Sequence, residues 1–131
     1  MLVINNLSKS FQEADGPIKI LNNINLTVAN GEMVALRGES GSGKTTLLNL
    51  IAGIENADEG SITIDSESLV DKSDRQKSII RRSKVGLVFQ NFNLLPGLNV
   101  KENIDFQAKL AKRYNEARSS YLMHALKISS L

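Results

Sequence analysis

The stretch of sequence that most constrains the fold is GESGSGKTT at residues 38–46. It meets the pattern G-x-x-x-x-G-K-[ST] through Gly38, Gly43, Lys44 and Thr45, with Gly41 as an extra glycine. A loop of this kind turns backbone N–H groups inward around anionic oxygens, and larger residues in place of the glycines would obstruct that approach. The pattern predicts a phosphate-binding loop, and the plainer alternative is a glycine-rich turn with a solvated lysine.

The residues on either side of the loop fit that interpretation. Met33–Arg37 contains the apolar run Val34-Ala35-Leu36, which predicts a strand buried on both faces. Lys44 then begins a predicted helix with apolar positions 47, 48, 51 and 52, and Gly53 is a plausible stop. The N–H groups and positive end of that helix favour a bound anion.

Each polar residue of the loop has an expected part in binding a nucleotide. Lys44 can reach the β- and γ-phosphates, the Thr45 hydroxyl can ligate Mg²⁺, and Thr46 offers a second hydroxyl near the α-phosphate. We expect the nucleotide phosphates to be held by the whole loop, namely Gly38, Glu39, Ser40, Gly41, Ser42, Gly43, Lys44, Thr45 and Thr46.

Several further segments have the patterns of strands. Residues 2–4 are apolar, and the even positions from Ile18 to Val28 are mostly apolar, which predicts a strand with one buried face. Asn30-Gly31 is a hairpin dipeptide and should lead into the strand at 33–37. Residues 60–65 alternate like a strand, and Val85–Gln90 are apolar and rich in β-formers.

Three helices are predicted in the rest of the chain. Ser73 with Gln76 forms a capping box for a basic helix to about Ser83, and Asn99 with Glu102 begins a helix to about Lys112. Apolar positions 117, 121, 122, 125 and 126 mark a last amphipathic helix. The succession of strands and helices indicates an α/β fold.

Composition excludes some classes of protein. The chain has 131 residues, a net charge of +2 and no cysteine, which predicts one domain without disulfides or thiolate metal sites. The mild charge gives no reason to expect nucleic acid as a specific partner. No secretory signal is evident, and the most apolar stretch, LLNLIAGI, is too short to span a bilayer. We therefore expect a cytoplasmic protein whose role at a membrane is indirect.

Two long segments together resemble one family. The stretch from Ile20 to Asp65 looks like the front of an ABC-transporter ATPase subunit, and VGLVFQNFNLLPGLNVKENI at 85–104 looks like that family's Q-loop and the start of its helical subdomain. The sequence of residues 91–98, NFNLLPGL, is most similar to the branch of lipoprotein-release, macrolide-export and peptide-resistance transporters. The resemblance implies a P-loop NTPase fold of the ABC type, with an antiparallel front sheet, a P-loop strand and helix, a Q-loop strand and the start of a helical subdomain.

The resemblance also implies roles for particular residues. Phe11 falls where the family places an aromatic that stacks on adenine, although it could be an ordinary core phenylalanine. Gln90 matches the glutamine that reaches Mg²⁺ and the attacking water; the alternative is a polar residue ending a strand. Residues 91–98 match the segment that contacts the transporter's transmembrane subunit.

The implied organisation is the N-terminal part of one ATP-binding domain. Residues 1–90 would be a portion of the nucleotide-binding core, and residues 91–131 the Q-loop and part of the helical subdomain. The intact protein would pair with a second ATP-binding subunit and lie at the inner face of the cell membrane, with ATP and Mg²⁺ as its ligands.

Some of the family's machinery is not found in this sequence. It holds no LSGGQ-like segment, no apolar strand ending in Asp-Glu and no switch histidine, because His124 lies in the last predicted helix. We therefore expect the chain to bind ATP without hydrolysing it alone. In the family's strand order, 34–37 and 85–90 would lack neighbours, which would expose apolar faces and favour self-association.

Two other functions stay open. The chain could be a non-catalytic nucleotide-binding or docking module for a membrane partner. A GTPase or small-molecule kinase is disfavoured because no Asn-Lys-x-Asp segment is present. The basic cluster Lys77, Arg81, Arg82 and Lys84 is interpreted as a solvated helix face, and His124 as a surface or packing residue.

Overall fold

The structure is a computed structural model, and it describes residues 1–91 and 93–128. These residues form two compact units, Met1–Gly86 and a second one from Leu87 onward. The described elements of the first unit are β1 (Leu2–Glu13), β2 (Gly16–Val28), α1 (Lys44–Ile51), β3 (Glu59–Ile64), β4 (Glu67–Ser68) and α2 (Asp74–Lys84). Those of the second unit are α3 (Val100–Leu110) and α4 (Glu116–Ala125).

The first unit is built on an antiparallel sheet with the strand order β2-β1-β3-β4. The central strand β1 pairs with β2 on one side and with β3 on the other. Pairing with β2 extends β1 to Glu13, well beyond the apolar residues 2–4 that predicted it, whereas pairing with β3 ends at Ser8. The expected antiparallel front sheet is confirmed, and its hairpin turn lies between β1 and β2.

Strand β2 departs from simple alternation near its middle. Asn23 has a positive φ of 53°, and its N–H donates to Ser8 Oγ at 3.1 Å within an irregular part of the β1–β2 ladder. Such a bulge changes which side chains point to the core. Leu21, an odd-numbered residue, is consequently the buried residue of β2, while Ile18 is exposed.

One hydrophobic core joins the sheet to α1 and α2. Its buried residues share apolar side chains that face the space between these elements: Ile4, Leu7, Leu21, Leu47, Leu50, Ile62, Ile64, Leu69 and Ile80. The predicted capping box of α2 is present, since Ser73 Oγ accepts from Gln76 N–H and the Gln76 side chain accepts from Ser73 N–H. Burial of the apolar side of α2 fixes that helix on the sheet.

The strand predicted at Met33–Arg37 is wrong for this structure. These residues have no strand conformation, and all are exposed, with Met33 at 96%. The Asn30-Gly31 turn does form, with Glu32 N–H donating to Ala29 O at 3.2 Å, but no hairpin follows it. A strand requires a neighbour for its backbone groups, and none pairs with 33–37 among the described residues.

The strand predicted at Val85–Gln90 is wrong for the same reason. None of the six residues has strand conformation, and Val88 is 95% exposed. Within the described chain, the sheet contains only β1 to β4 and offers these residues no ladder. Both segments expose apolar side chains, as expected for strands without neighbours.

The basic residues of α2 also differ from the prediction of a solvated face. Lys77 is buried and donates to Asn56 Oδ1, and Arg81 donates to Gly53 O at 2.7 Å. Lys84 forms an ion pair with Glu67 at 2.9 Å. These side chains attach α2 to the rest of its unit, and Arg82 is the exposed member of the cluster.

In the second unit, both helices begin with a side-chain cap. Asn99 and Glu102 form the predicted capping box of α3, and Asn115 Oδ1 accepts from Arg118 N–H at the start of α4. The two helices are joined through Asp105, whose carboxylate accepts from Ser119 Oγ at 2.5 Å. His124 is exposed on α4, which confirms its interpretation as a surface residue.

Candidate functional site

The start of α1 is open to an anion. Its N-cap is Gly43, with φ 87° and no side-chain cap, and its first turn carries no acidic residue. The first hydrogen bond of the helix is donated by Leu47 N–H to Gly43 O at 2.8 Å. The amides before Leu47 lie in the first turn, where a helix provides no intrahelical partners. They are therefore available to an anionic ligand.

The ammonium group of Lys44 holds the glycine-rich loop in shape. It donates to Gly38 O at 2.9 Å, to Glu39 O at 2.5 Å and to Ser42 Oγ at 3.2 Å. The Ser42 N–H also donates to Glu39 O at 3.3 Å. The loop thus wraps around a cation that phosphate oxygens can bind in place of the carbonyl groups.

Gly43 lies against the sheet. A Cβ atom there would lie 2.9 Å from Ile20 Cγ2 and 2.9 Å from Leu21 Cδ2. At Gly38, a Cβ would lie 2.8 Å from Ser42 Oγ, inside the loop itself. Gly43 is required by space and by its left-handed backbone, whereas the close neighbour at Gly38 is a serine hydroxyl that can rotate away.

Phe11 lies on the same hairpin that contacts the loop. It pairs with Ile18 across the β1–β2 ladder, and Ile20 lies two residues further along β2. Phe11 is 39% exposed, so it is not a core phenylalanine. Its ring is partly accessible to a ligand, and Lys9 Nζ lies 5.1 Å from its centroid.

A cluster of charges that sequence reasoning missed fixes Lys9. This residue is 8% exposed, and its ammonium lies 3.2 Å from Asp58 Oδ1 and 3.3 Å from Glu55 Oε1. The second oxygen of Asp58 accepts from Ser10 N–H at 2.7 Å. No short-range signal marks the cluster, because its members are brought together only by the packing of β1 against the turn that follows α1.

The cluster shifts the pKa values of its members. Hydrogen bonding from Ser10 N–H lowers the pKa of Asp58 below its ordinary value, and Lys9 lowers it further. Burial alone would lower the pKa of Lys9, but hydrogen bonds to Asp58 and Glu55 outweigh it and raise that pKa. Both shifts favour the ionised pair.

The remaining predicted site residues are divided between the two units. Thr45 is exposed and Thr46 is half-buried in the first turn of α1, whereas Gln90 is exposed in the second unit, outside any helix or strand. The roles predicted for Gln90 and for residues 91–98 stay predictions. In the part of the chain that the structure describes, no group of three or more His, Cys, Asp or Glu side chains could hold a metal ion.

A cavity of about 350 Å³ lies away from the loop. It is bounded by the end of α1, the turn after it, β3 and the start of α2, including Leu50, Asp58, Ile62 and Lys77. None of the residues 38–46 lines it. Residues 38–42 of the phosphate loop are exposed, whereas Gly43 is buried.

The side chain of Asn103 forms a polar brace: it hydrogen-bonds to the backbone between Leu95 and Asn99, directly before α3. Its Oδ1 accepts from Leu95 N–H at 2.8 Å, and its Nδ2 donates to Leu98 O at 2.9 Å and Asn99 O at 3.1 Å. The backbone is therefore fixed while Leu94 beside it is 66% exposed. This polar brace was not predicted from the sequence.

The antiparallel sheet and the glycine-rich loop capping α1 define a protein of the phosphate-loop class. Residues 21–131 match the family model described as ABC transporter, and the chain belongs to that family. The predicted resemblance is thereby confirmed.

Individual relatives agree with this assignment. An uncharacterised ABC transporter ATP-binding protein of Mycobacterium tuberculosis, Rv0986, is 45% identical over 82% of this chain and 44% of its own length. The lipoprotein-releasing system ATP-binding protein LolD 1 of Rhodopirellula baltica is 38% identical over 79% of this chain and 45% of its own length. The second relative agrees with the predicted branch.

A solved structure confirms the fold class. The ATP-binding cassette MJ0796 of Methanocaldococcus jannaschii, in a dimeric post-hydrolysis state bound to ADP and Pi, is 36% identical with a TM-score of 0.88. The match covers 100% of this chain and 58% of that chain. The chain thus spans about half the length of these relatives. No helix among the described residues is long and apolar enough to cross a membrane.

Proposed function

We propose that this chain binds ATP as part of an ABC-type ATPase that energises transport across a membrane. The observation that carries the proposal is the loop at residues 38–46, which surrounds the Lys44 ammonium and ends at Gly43 in front of the first-turn amides of α1. The ADP and Pi of the similar archaeal cassette support a nucleotide as the ligand.

The donor set fits the phosphates of ATP. The first-turn amides and Lys44 are hydrogen-bond donors, and Gly38 and Gly43 leave the space that side chains would fill. Residues 38–46 would hold the phosphates, and Phe11, with its partly accessible ring, would stack on the adenine. The same hairpin contacts the loop through Ile20, which supports one continuous site.

Mg²⁺ would be held mainly by the nucleotide. Mg²⁺ commonly takes one or two protein oxygens together with phosphates and water, so the exposed Thr45 hydroxyl is a sufficient ligand from α1. Gln90 would supply a second ligand and orient the attacking water once the rest of the machinery is assembled. The ion would neutralise charge on the β- and γ-phosphates.

The proposed organisation has residues 1–90 as the nucleotide-binding portion and 91–131 as the Q-loop and part of the helical subdomain. We expect 91–98 to contact a transmembrane subunit, and a second ATP-binding subunit to complete the intact protein at the inner face of the membrane. Alone, the chain should self-associate through its exposed apolar segments and should not hydrolyse ATP.

The proposal is tested by calorimetric titration of Mg-ATP into the 131-residue chain. We expect micromolar binding, worth about 8 kcal/mol, that Lys44→Ala abolishes. Arg75→Ala removes one positive charge from the exposed start of α2 and serves as the matched control. Absence of binding to the wild-type chain, or equal loss in both variants, would contradict the proposal.

The braced segment near α3 favours a second candidate, a non-catalytic docking module. Asn103 fixes the backbone from Leu95 to Asn99, and exposed Leu94 lies beside it. In this case ATP would at most order the loop at residues 38–46, and the surface around Leu94 would bind a membrane partner. Turnover distinguishes the candidates: a completed ATP-binding domain that contains this chain hydrolyses ATP if the first holds and does not if the second holds.

A further inference from the structure

We infer that Lys9 is a positioning residue for adenine recognition: its ammonium, held by Asp58 and Glu55, orients the ring of Phe11. The inference rests on the proposed function, because it concerns the base that accompanies the bound phosphates. Nothing in the phosphate loop contributes to it, so the two can be tested separately.

The first support is the contact between cation and ring. Lys9 Nζ lies 5.1 Å from the Phe11 centroid, within the distance at which a cation is attracted by an aromatic face. Lys9 and Phe11 are two residues apart on β1, and Lys9 is 8% exposed. A lysine in this setting buries its alkyl stem and fixes the position of its head group.

The second support is that the ammonium cannot leave the ring without losing its carboxylate partners. Asp58 and Glu55 lie 3.2 and 3.3 Å from Nζ, and Asp58 is itself anchored by Ser10 N–H at 2.7 Å. Without a neighbour that orders it, the partly exposed Phe11 side chain would lose rotamer freedom when a base stacks on it, at a cost in conformational entropy. An ordered cation beneath the ring removes part of that cost before the ligand arrives.

The third support is the place of Phe11 relative to the loop. Its ladder partner Ile18 is two residues from Ile20, whose Cγ2 would be 2.9 Å from a Cβ at Gly43. Residues two apart on a strand are separated by about 6.6 Å. A nucleotide that extends from the loop towards this hairpin would bring its base to Phe11, which retains 39% exposure.

The test compares ATP with inorganic tripolyphosphate, which carries the phosphates without the base. Both are titrated, with Mg²⁺, into the wild-type chain and into Lys9→Met, Lys9→Arg, Phe11→Ala and Lys9→Met/Phe11→Ala. Methionine keeps the buried length without the charge, and arginine keeps a cation able to contact carboxylates and a ring. Circular dichroism melting checks that each variant is folded.

We expect Lys9→Met to weaken ATP binding about three- to tenfold and to leave tripolyphosphate affinity unchanged. Lys9→Arg keeps a cation beside the ring and should therefore bind ATP more tightly than Lys9→Met does. In the Phe11→Ala background, Lys9→Met should have no further effect, because the ring through which it acts is gone. If Lys9→Met fails to fold, Asp58→Asn removes the charge that holds the ammonium, and it should weaken ATP alone about two- to threefold.

Three results would overturn the inference alone. Equal weakening of ATP and tripolyphosphate would indicate a purely structural lysine. An undiminished Lys9→Met effect without Phe11 would show that the ring is not the intermediary, and unchanged ATP affinity in Lys9→Met would show that the contact does not matter. In each case ATP still binds and the proposed function stands. A wild-type chain that binds neither ligand would overturn both.

Discussion

Gly43 in the phosphate loop lies directly against Ile20 of β2, where an added Cβ would approach Ile20 Cγ2 to 2.9 Å. Gly43 also has φ 87°, a left-handed conformation that L side chains rarely adopt. We predict that Gly43→Ala separates the hairpin from α1 and prevents Mg-ATP binding. Urea denaturation and calorimetry measure the two effects.

Gly41 provides the matched control for this prediction. Its φ is 81°, but nothing lies within 4 Å of an added Cβ. Gly41→Ala should cost only the backbone strain of about 1–2 kcal/mol. Gly43→Ala should lower the free energy of unfolding by about 1–3 kcal/mol more, the usual range for overpacking. Equal stabilities would show that the contact with Ile20 does not constrain the loop.

Leu50 of α1 is the apolar residue by which the loop's helix is anchored in the core. It is fully buried in the cluster with Ile62 and Leu69, whereas Leu48 of the same helix is half exposed. Leu50→Ala should lower the free energy of unfolding by about 2–5 kcal/mol. Leu48→Ala removes the same atoms from an exposed position and should cost clearly less. Guanidinium denaturation of the two variants decides whether α1 packs as described.

Two kinds of local signal, the helix caps and the phosphate-loop pattern, predicted the structure correctly. The capping boxes Ser73/Gln76 and Asn99/Glu102 form because each is closed by residues three apart. The glycine pattern likewise places Gly43 directly before α1. Helix starts and the phosphate loop were therefore predictable without tertiary information.

Non-local features were not predictable in the same way. Residues 33–37 have the composition of a buried strand, yet they form none, because a strand also requires a neighbour to bond with. The bulge at Asn23 changes which side of β2 is buried, and the Lys9 cluster depends on Asp58, 49 residues away. Periodicity contains no information about any of these contacts.

The buried carboxylate of Asp105 should make the α3–α4 pair sensitive to acid. Asp105 is 2% exposed, and its pKa lies below the ordinary value, first because Lys101 hydrogen-bonds to it and then because Ser119 does. A carboxyl group with a depressed folded pKa stabilises the folded state above its unfolded pKa of about 3.9. That stabilisation is lost as the pH falls through the folded pKa.

We therefore predict that amide exchange in α4 accelerates as the pH falls below about 4, after correction for the intrinsic exchange rate. Asp105→Asn should accelerate exchange at neutral pH and remove most of this pH dependence, because its side chain does not titrate. Asp15→Asn changes an exposed aspartate in the β1–β2 turn and should leave α4 unaffected. Unchanged exchange in Asp105→Asn would contradict the prediction.

The side chain of Asn103 should control the order of the segment before α3. It accepts from Leu95 N–H at 2.8 Å and donates to Leu98 O and Asn99 O at 2.9 and 3.1 Å. Each hydrogen bond contributes about 1 kcal/mol, so losing the acceptor should speed exchange of the Leu95 amide about fivefold. We predict this for Asn103→Ala, measured by NMR.

Asn103→Asp distinguishes the acceptor role of this side chain from its donor role. An aspartate retains an acceptor for Leu95 N–H but has no donor for the carbonyl groups of Leu98 and Asn99. Leu95 should therefore stay protected in Asn103→Asp although the turn as a whole is weakened. Gln107→Ala, on an exposed position of α3, controls for general loss of helix stability. If Leu95 exchanges equally fast in Asn103→Asp and Asn103→Ala, the acceptor role is wrong, and the segment is ordered by α3 itself rather than by this side chain.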